Sequence, residues 1–382
     1  MSLSPVYITG TSIFLPNDPV TSDEMEDYLG FINGKPSKSR KIVLRNNGIQ
    51  TRYYALRKGG EPTHTNAQLT AEAVRGLFTN DPSGIGHIDV LTSGTSSPDQ
   101  LMPSHGVMVH GSLPELGAIE VVSPAGNCCA GMHALKYAYL SIRSGEAHRA
   151  VSTGSELMSL VMRAGVFEEE VQHLIDLHEN PYVGFNKEFL RWMLSDGAGA
   201  FLLADKPRAE GLSLQIDWID GVSYASEMDT CMYQGGDKDE EGRFKGFKLY
   251  DSETLINQSI FSVKQDISLL SDNIVSLGGR KVKEIFDRRG LTVEDVDWFL
   301  PHISSEFFKA KIFEVMEVLN GGIPYDKWFL NLSRYGNVGA ASIYFMVHEL
   351  LESGKLKKGE RILLLVPESA RFSYMFAMLT VV

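Results

Sequence analysis

The sequence predicts an α/β protein with a mixed or parallel sheet, built from two similar halves that pack as one body. Strand-like runs alternate with helical patterns along all 382 residues. In each half a strand leads into a turn and then a helix, which indicates a duplicated unit. Because no Pro/Ser-rich linker separates the halves, we expect only a boundary near residue 205, between an N-terminal half 1–205 and a C-terminal half 206–382.

The first half begins with a strand at 6–10 and ends on the strand-like run 196–203. Between them, the apolar run 118–122 predicts a short buried strand that ends before Pro124. Apolar residues then recur at helical spacing until Ser144-Gly145, which predicts a helix that ends there. Because few residues separate the strand from this helix, the turn between them is sharp. Such a turn is a typical place for a nucleophile.

That turn carries Cys128 and Cys129, and we expect Cys129 at or next to the helix N-terminus. Unpaired N–H groups and the helix dipole favour a thiolate there, by about 0.3 to 1 kcal/mol from the dipole. The small residues Ala130 and Gly131 leave room for a thioester carbonyl, whose oxyanion the Cys129 N–H could stabilise. Taken alone, the motif fits a buried cysteine that only fills the core equally well.

The second half supplies two further candidate groups. The apolar strand at 296–301 delivers His302 at its carboxyl end, where ligands gather in open α/β sheets. Its imidazole could exchange the thiol proton or donate to a thioester carbonyl, or it could be a structural histidine. The glycine-rich turn at 334–342 opens a helix, so the Asn337 amide is either a helix cap or an oxyanion donor.

Composition excludes several classes of protein. The net charge of −12 argues against a nucleic-acid partner. The chain lacks a signal-like N-terminus and any apolar run near the roughly 20 residues that cross a bilayer, and its three cysteines do not form a disulfide framework. We therefore expect a cytoplasmic protein without a membrane span. Neither C-x-x-C nor H-E-x-x-H occurs, so no metal site is predicted.

A basic segment stands out in this acidic chain. Eight lysines and arginines and no acidic residue occur from Lys35 to Lys58. Such a region can attract a phosphorylated ligand or an acidic carrier protein, although a solvated surface loop would have the same composition.

Several motifs, taken in order, resemble those of the thiolase superfamily, and within it the 3-oxoacyl-(acyl carrier protein) synthase III-like condensing enzymes. Each motif is modest, but the ordered set extends along almost the whole chain. The matching pieces are Asn47-Gly48-Ile49-Gln50-Thr51-Arg52, Ser93-Gly94-Thr95, Pro103-Ser104, Cys129-Ala130-Gly131, Ser195-Asp196-Gly197-Ala198-Gly199-Ala200, Pro301-His302 and Gly336-Asn337-Val338-Gly339-Ala340-Ala341-Ser342.

The resemblance implies a five-layered α-β-α-β-α fold with two similar halves and three catalytic residues. Cys129 would be the acylated nucleophile, while His302 and Asn337 would polarise the thioester of the second substrate. The backbone of Cys129 would form an oxyanion hole with that of Ser369 or Ala370, because the segment 367–372 replaces the Phe-Gly-Gly-Gly loop of the family.

The resemblance also implies a homodimer, in which a loop from one subunit lines the acyl pocket of the other. This loop corresponds to 97–103, with Leu101 or Met102 at its tip. An apolar, flexible tip would suit an acyl chain longer than acetyl.

Acyl thioesters of phosphopantetheine, on coenzyme A or an acyl carrier protein, are the implied substrates, and no bound cofactor is expected. Lys41, Arg45, Lys309 and Lys311 would form the pantetheine entrance and the carrier-docking surface. Lys41 stands where synthase III has a tryptophan that stacks on the adenine of coenzyme A, and this difference favours a carrier protein.

The expected function is a ketosynthase that forms a carbon–carbon bond by Claisen-type condensation through an acyl-cysteine. The segments 7–12, 31–35 and 367–372 are most similar to dialkylresorcinol-forming ketosynthases of secondary metabolism, which join a fatty acyl unit and a 3-oxoacyl thioester. Three alternatives remain: a synthase III that initiates fatty-acid synthesis from acyl-coenzyme A and malonyl-carrier protein, an acyltransferase to a hydroxyl or amine, and a non-catalytic partner subunit.

Overall fold

The computed structural model describes residues 3–37, 40–176 and 190–382. Its strands are β1 (Tyr7–Phe14), β2 (Val20–Thr21), β3 (Thr51–Arg52), β4 (Val90–Thr95), β5 (Glu120–Val122), β6 (Arg149–Glu156), β7 (Gly197–Ala204), β8 (Leu214–Ser223), β9 (Met232–Tyr233), β10 (Gly236–Lys238), β11 (Phe244–Gly246), β12 (Lys264–Gln265), β13 (Trp298–Pro301), β14 (Arg361–Glu368) and β15 (Ser373–Val381). Its α-helices are α1 (Met25–Leu29), α2 (Arg40–Asn47), α3 (Asn66–Gly76), α4 (His105–Gly111), α5 (Ala130–Ser144), α6 (Glu168–Asp176), α7 (Ser252–Asn257), α8 (Ile267–Arg289), α9 (Phe307–Asn320), α10 (Leu332–Tyr335) and α11 (Ser342–Glu352).

Nine strands form one mixed sheet in the order β13-β14-β15-β8-β1-β7-β6-β4-β5. The same pairing pattern occurs in both halves of this sheet. The pairs β1/β7 and β7/β6 are antiparallel and β6/β4 is parallel, and likewise β8/β15 and β15/β14 are antiparallel and β14/β13 is parallel. Only two residue pairs, Tyr7 with Gln215 and Ile8 with Leu214, connect the halves through β1 and β8.

Helices cover and separate the two halves of the sheet in five layers. Apolar residues of α5 and α11 pack between the halves, while α3 and α4 cover the outer face of the first half and α8 and α9 that of the second. In β14, Leu364 faces the central helices and Leu363 and Leu365 face the outer ones. This strand is therefore a continuous apolar run, as expected of a strand buried on both faces. The five-layered arrangement predicted from the motifs is confirmed.

The turn that carries the two cysteines lies where it was predicted, with one difference. Helix α5 ends at Ser144, and Gly145 caps it in the left-handed region with φ 87°. The preceding strand is shorter than predicted and lies at the edge of the sheet, where Glu120 is exposed. The prediction of a buried strand at 118–122 was wrong, because β5 has a neighbour on one side only.

The division predicted at 205/206 falls in the connection between β7 and β8, and it stays a prediction. Two long segments, 158–191 and 225–247, lie between strands of the large sheet. The first contains α6, and its part 177–189 lies outside the described residues, as does Lys38 of the basic segment. The second contains β9 and the hairpin formed by β10 and β11.

Candidate active site

An elongated cavity lies where β13 and β14 end and where α5 and α11 begin. It encloses about 1040 Å³ of space, including the solvent at its mouth. Most of its wall is apolar, and α8 and α9 contribute lining residues that include Ile274, Phe308 and Ile312. The polar or reactive residues on this wall include Cys128, His302 and Asn337.

His302 follows β13 directly, as the sequence predicted, and only 3% of it is exposed. Its backbone N–H donates to the carbonyl of Leu365 at 2.8 Å, which fixes the residue beside β14. Among the described residues, no side-chain hydrogen-bond partner of the imidazole is found. Burial lowers its pKa to about 4, so the ring is neutral at pH 7 and one of its nitrogens can accept a proton.

Asn337 is held by its backbone and by one side of its amide. Its N–H donates to the carbonyl of Met193 at 3.0 Å, and its own carbonyl accepts from the N–H of Ser195 at 2.9 Å. The side-chain Oδ1 accepts from the N–H of Gly339 at 3.0 Å, which leaves Nδ2 to donate to a ligand. Residue 339 needs to be glycine for two reasons. Its φ of 46° lies in the left-handed region, and a Cβ at this position would lie 2.7 Å from Oε1 of Glu156.

The two adjacent cysteines occupy different environments. Cys128 is partly exposed and lies on the cavity wall. Cys129 lies behind that wall and is fully buried, and its Sγ donates to the carbonyl of Val366 at 3.3 Å. The structure thus brings Cys128 together with His302 and Asn337, whereas the nucleophilic role expected of Cys129 stays a prediction.

The surroundings of the two cysteines oppose the thiolate expected at the helix N-terminus. Burial, followed by the carboxylates of Glu368 and Glu156, raises the pKa of the Cys128 thiol well above its ordinary value. Burial and Glu368 also raise the pKa of Cys129. Ionisation of both thiols is therefore disfavoured, because desolvation and Glu368, joined by Glu156 at Cys128, oppose the small effect of the dipole.

Glu368 occupies the backbone donors at the start of α5. It is only 8% exposed, and its Oε2 accepts from the N–H of Asn127 at 2.8 Å and from that of Cys129 at 3.0 Å. Burial raises the pKa of this carboxyl group. The Cys129 N–H predicted for the oxyanion hole is therefore already engaged by a carboxylate.

Ser369, the other residue predicted for the oxyanion hole, lines the cavity. Its side-chain hydroxyl donates to Oε1 of Gln265 at 3.3 Å. The role proposed for its backbone N–H stays a prediction.

Glu156 is a buried carboxyl group of the site that sequence reasoning missed. It ends β6, lines the cavity and is 1% exposed. Its Oε2 accepts from the hydroxyls of Ser96 at 2.7 Å and Ser97 at 2.6 Å, while Oε1 accepts from the N–H of Ala340 at 3.1 Å. Burial raises its pKa to about 7. The only signal in the sequence was a single acidic residue at the end of a run of small and apolar residues.

A second cavity adjoins the first and shares four lining residues with it, including Asn127 and Met158. The loop predicted to line an acyl pocket reaches this second cavity through Leu101, which is 72% exposed. Met102 is 85% exposed and lies outside both walls.

The four cationic residues predicted for carrier docking lie on two helices whose ends meet. Lys41 and Arg45 are exposed on α2, and Lys309 and Lys311 are partly exposed on α9. A backbone hydrogen bond joins the two helices. The N–H of Glu306, just before α9, donates to the carbonyl of Asn47, the last residue of α2, at 3.0 Å. Lys309 and Lys311 lie over the rings of Tyr325 and Phe307, at 5.4 and 4.4 Å.

In the described part of the chain, no helix is both long and apolar enough to cross a membrane. Within the same residues, no group of three or more His, Cys, Asp and Glu side chains is arranged to hold a metal ion.

Comparison with known sequences finds relatives along nearly the entire chain. A family model described as the C-terminal region of 3-oxoacyl-(acyl carrier protein) synthase III matches residues 286–367. The β-ketoacyl-(acyl carrier protein) synthase III of Neisseria gonorrhoeae is 25% identical over 366 residues, which cover 94% of this chain and 93% of that protein. The synthase III of Clostridium perfringens is 26% identical over 356 residues, with 93% of each chain covered.

Solved structures of condensing enzymes share the fold at lower sequence identity. A variant of OleA from Xanthomonas campestris has a TM-score of 0.76 at 21% identity, with 100% of this chain and 99% of that chain covered. AbyA1, a tetronic acid condensing enzyme, has a TM-score of 0.74 at 19% identity, with 98% and 99% covered. Synthase III of Thermus thermophilus has a TM-score of 0.71 at 19% identity, with 98% of each chain covered.

These matches confirm the recognition made from the motifs, except for the dialkylresorcinol branch, which stays a prediction. The protein is similar to the 3-oxoacyl-(acyl carrier protein) synthase III enzymes along nearly its whole length, and it has the thiolase fold.

Proposed function

We propose that this protein is an acyl-thioester condensing enzyme that forms a carbon–carbon bond by Claisen-type condensation through an acyl-cysteine. The observation that carries the proposal is the shared wall of one apolar cavity, on which a thiol, a neutral imidazole and an amide donor lie together. Its relatives are β-ketoacyl synthases, which supports the same class of reaction.

In the first half-reaction, a thiol of the Cys128-Cys129 pair attacks the thioester carbonyl. His302 accepts the thiol proton, since its imidazole is neutral, and returns it to the pantetheine sulfur that leaves. A carbon–sulfur bond forms to the cysteine and another breaks to the carrier. The covalent intermediate divides a difficult condensation into two easier steps.

In the second half-reaction, the carbonyl oxygen of the second thioester faces His302 and Asn337. Nδ2 of Asn337 donates to this oxygen as negative charge develops on it, which stabilises the enolate. The enolate forms when the α-carbon loses CO₂ from a malonyl unit or a proton to the neutral His302 from a 3-oxoacyl unit. The enolate carbon then attacks the acyl-cysteine, and the new carbon–carbon bond replaces the carbon–sulfur bond to the enzyme. The released cysteine sulfur takes up the proton held by His302, or one from water after loss of CO₂.

The substrates we propose are two acyl thioesters, at least one of them with a long acyl chain. The apolar wall formed by α8 and α9 suits an alkyl chain, and OleA, which shares the fold, has been solved with bound lauric acid and lauroyl-coenzyme A. The reaction we prefer is the condensation of a fatty acyl and a 3-oxoacyl unit in secondary metabolism, by analogy with the dialkylresorcinol-forming ketosynthases that parts of the sequence resemble.

The partner we propose is an acyl carrier protein that docks on α2 and α9. Lys41, Arg45, Lys309 and Lys311 would face its acidic surface, although the protein as a whole carries a net charge of −12. A cytoplasmic homodimer, in which the loop 97–103 reaches the partner's acyl pocket, belongs to the same proposal.

The proposal can be tested by acylation followed by condensation. Purified protein is incubated with acetyl-, octanoyl- and lauroyl-coenzyme A and with the same groups on a carrier protein, and intact masses are recorded. A 3-oxoacyl or malonyl thioester is then added, and the product is identified by mass spectrometry. An acyl adduct that is converted into a product with a new carbon–carbon bond supports the proposal, and an adduct that never forms contradicts it.

A synthase III that initiates fatty-acid synthesis is the second candidate, favoured by the names of the relatives that span the chain. This reaction would release CO₂ from malonyl-carrier protein and prefer a short acyl-coenzyme A. Measuring CO₂ release with a malonyl and with a 3-oxoacyl partner distinguishes the two candidates.

A further inference from the structure

We propose that Glu368 is a latch over Cys129: its carboxylate closes the cavity wall in front of this cysteine, and the carbonyl oxygen of an incoming thioester must displace it before acylation. The inference deepens the proposed function and rests on it, because it concerns access to the nucleophile of the first half-reaction. Cys129 is the nucleophile that the sequence motifs predict.

The first argument is the burial of the predicted nucleophile. Cys129 is 0% exposed and lies behind the wall of the first cavity, where its thiol donates to the carbonyl of Val366 at 3.3 Å. A thioester in the cavity therefore meets the wall and not this sulfur. Part of the wall must move aside before a carbon–sulfur bond can form.

The second argument is the place of the carboxylate in the wall. The neighbours of Glu368 in the sequence, Pro367 and Ser369, line the cavity, and so does Asn127 on the facing turn. Glu368 connects these two parts of the wall, because its Oε2 accepts from the N–H of Asn127 at 2.8 Å and from that of Cys129 at 3.0 Å. Breaking these two hydrogen bonds would open the wall at the cysteine.

The third argument is that the carboxylate and a thioester compete for the same donor. The Cys129 N–H lies at the start of α5, where N–H groups have no partner within the helix and attract anions. Donors stabilise an oxyanion at about 2.7 to 3.1 Å, and Oε2 of Glu368 already accepts within this range. The oxyanion formed from the thioester can use this N–H only after Glu368 has left it.

The fourth argument is that Glu368 is held less firmly than Glu156, the other buried acid of the site. Both oxygens of Glu156 accept hydrogen bonds, from two hydroxyls and from backbone N–H groups. Among the described residues, only Oε2 of Glu368 accepts hydrogen bonds, and no cationic side chain pairs with this carboxylate. A buried charge without a cation is costly, and burial raises the pKa of the group. Glu368 can therefore leave the wall at a smaller cost than Glu156.

The covalent step itself does not involve Glu368. The thioester oxygen takes over the hydrogen bond from the Cys129 N–H as the carboxylate turns away. The S–H proton of Cys129 moves to the neutral His302, the sulfur bonds to the carbonyl carbon, and the bond from that carbon to the pantetheine sulfur breaks. The proton on His302 then passes to the departing sulfur, so no covalent bond of Glu368 forms or breaks.

The test compares the acylation rates of Glu368→Ala, Glu368→Gln and the unmodified protein. Each is mixed with lauroyl-coenzyme A, and the acyl adduct is followed by intact mass in a single turnover. We expect Glu368→Ala to be acylated about tenfold faster or more, because a hydrogen-bonded charge no longer holds the wall. Glu368→Gln should stay closer to the unmodified protein, since its amide oxygen still accepts from both N–H groups.

Glu352→Ala is the matched control for the loss of one negative charge. Glu352 is exposed at the end of α11 and lies outside the cavity wall, so this variant should be acylated at the rate of the unmodified protein. A Glu368→Ala variant that is acylated no faster than the unmodified protein overturns the latch. A Glu368→Gln variant as fast as Glu368→Ala also overturns it, because loss of the charge alone would then explain the gain.

Alkylation with iodoacetamide tests the latch without relying on the proposed function. The rate at each cysteine is read from fragment ions that separate Cys128 from Cys129. Cys231 is the internal control, since it is also fully buried and lies outside the wall of the first cavity. We expect Glu368→Ala to raise the rate at Cys129 and to leave the rate at Cys231 unchanged.

The two measurements separate failure of the latch from failure of the proposed function. Equal rises in alkylation at Cys129 and Cys231 would show a general loosening of the fold and would overturn the latch. A rise confined to Cys129, with no acyl adduct on any variant and any donor, would support the latch and contradict the proposed function.

Discussion

The carboxylate of Glu368 accepts a hydrogen bond from the backbone N–H of Cys129 at 3.0 Å, although the two residues are 239 positions apart in the sequence. This contact joins the carboxyl end of β14 to the first turn of α5. The same oxygen binds the N–H of Asn127. A helix N-terminus that would otherwise favour a thiolate is thereby neutralised by an acid, and the thiol must lose its proton to another group.

His302 is the group we expect to accept this proton, and its burial predicts an unusual pH dependence. Its pKa is lowered to about 4 from an ordinary value of 6.5, so the imidazole stays neutral as the pH falls from 7.5 to about 5.5. The initial rate of acylation should therefore change little over this range in a buffer series at constant ionic strength. A loss of rate centred near pH 6.5 would show that the imidazole titrates normally.

Asn337 should act after acylation. Loss of one oxyanion donor typically lowers kcat by about 100-fold to 1000-fold, so we expect Asn337→Ala to reduce condensation by that factor. The acyl adduct should still form at nearly the rate of the unmodified protein, because the donor serves the second thioester. Single-turnover measurements of each half-reaction separate the two effects, and near-normal condensation would remove Asn337 from the site.

The wall formed by α8 and α9 should set the preferred chain length. Ile312 is 8% exposed and lines the cavity, so Ile312→Phe should fill part of it and shift the preference from lauroyl to shorter acyl groups. Val318→Phe is the control, since Val318 lies on the same helix but is 84% exposed. Relative kcat/KM values over a series of acyl-coenzyme A substrates measure the shift. An unchanged preference would mean that the alkyl chain binds elsewhere.

The cationic residues on α2 and α9 should matter for a carrier protein and little for coenzyme A. We expect Arg45→Glu combined with Lys309→Glu to raise KM for acyl-carrier protein and to weaken its dependence on salt. Lys355→Glu combined with Lys358→Glu, two exposed changes just after α11, gives the same change in net charge and serves as the control. Equal effects of the double variant on both kinds of donor would contradict docking at this surface.

The positions of His302 and Asn337 could be predicted from the sequence because each follows a strong local signal. His302 ends an apolar strand, and Asn337 lies in a glycine-rich turn before a helix, so topology alone brings both to one edge of the sheet. The repeated order of strands and helices indicated a duplicated α/β unit, and the five layers were implied by the resemblance that the motifs carry.

The contact between Glu368 and the turn that carries the two cysteines could not be predicted from the sequence. Its Oε2 accepts from the N–H of Cys129, which lies 239 positions away along the chain. A contact between residues so distant in sequence leaves no local pattern.

The central claim, condensation through an acyl-cysteine, is tested most directly by a chase experiment. The protein is acylated with lauroyl-coenzyme A, freed of excess donor and mixed with a 3-oxoacyl thioester, and protein and small-molecule masses are recorded over time. The account predicts that the lauroyl adduct disappears as a product containing both acyl units appears. Loss of the adduct to water alone, or an adduct that persists with every 3-oxoacyl and malonyl partner, would contradict it.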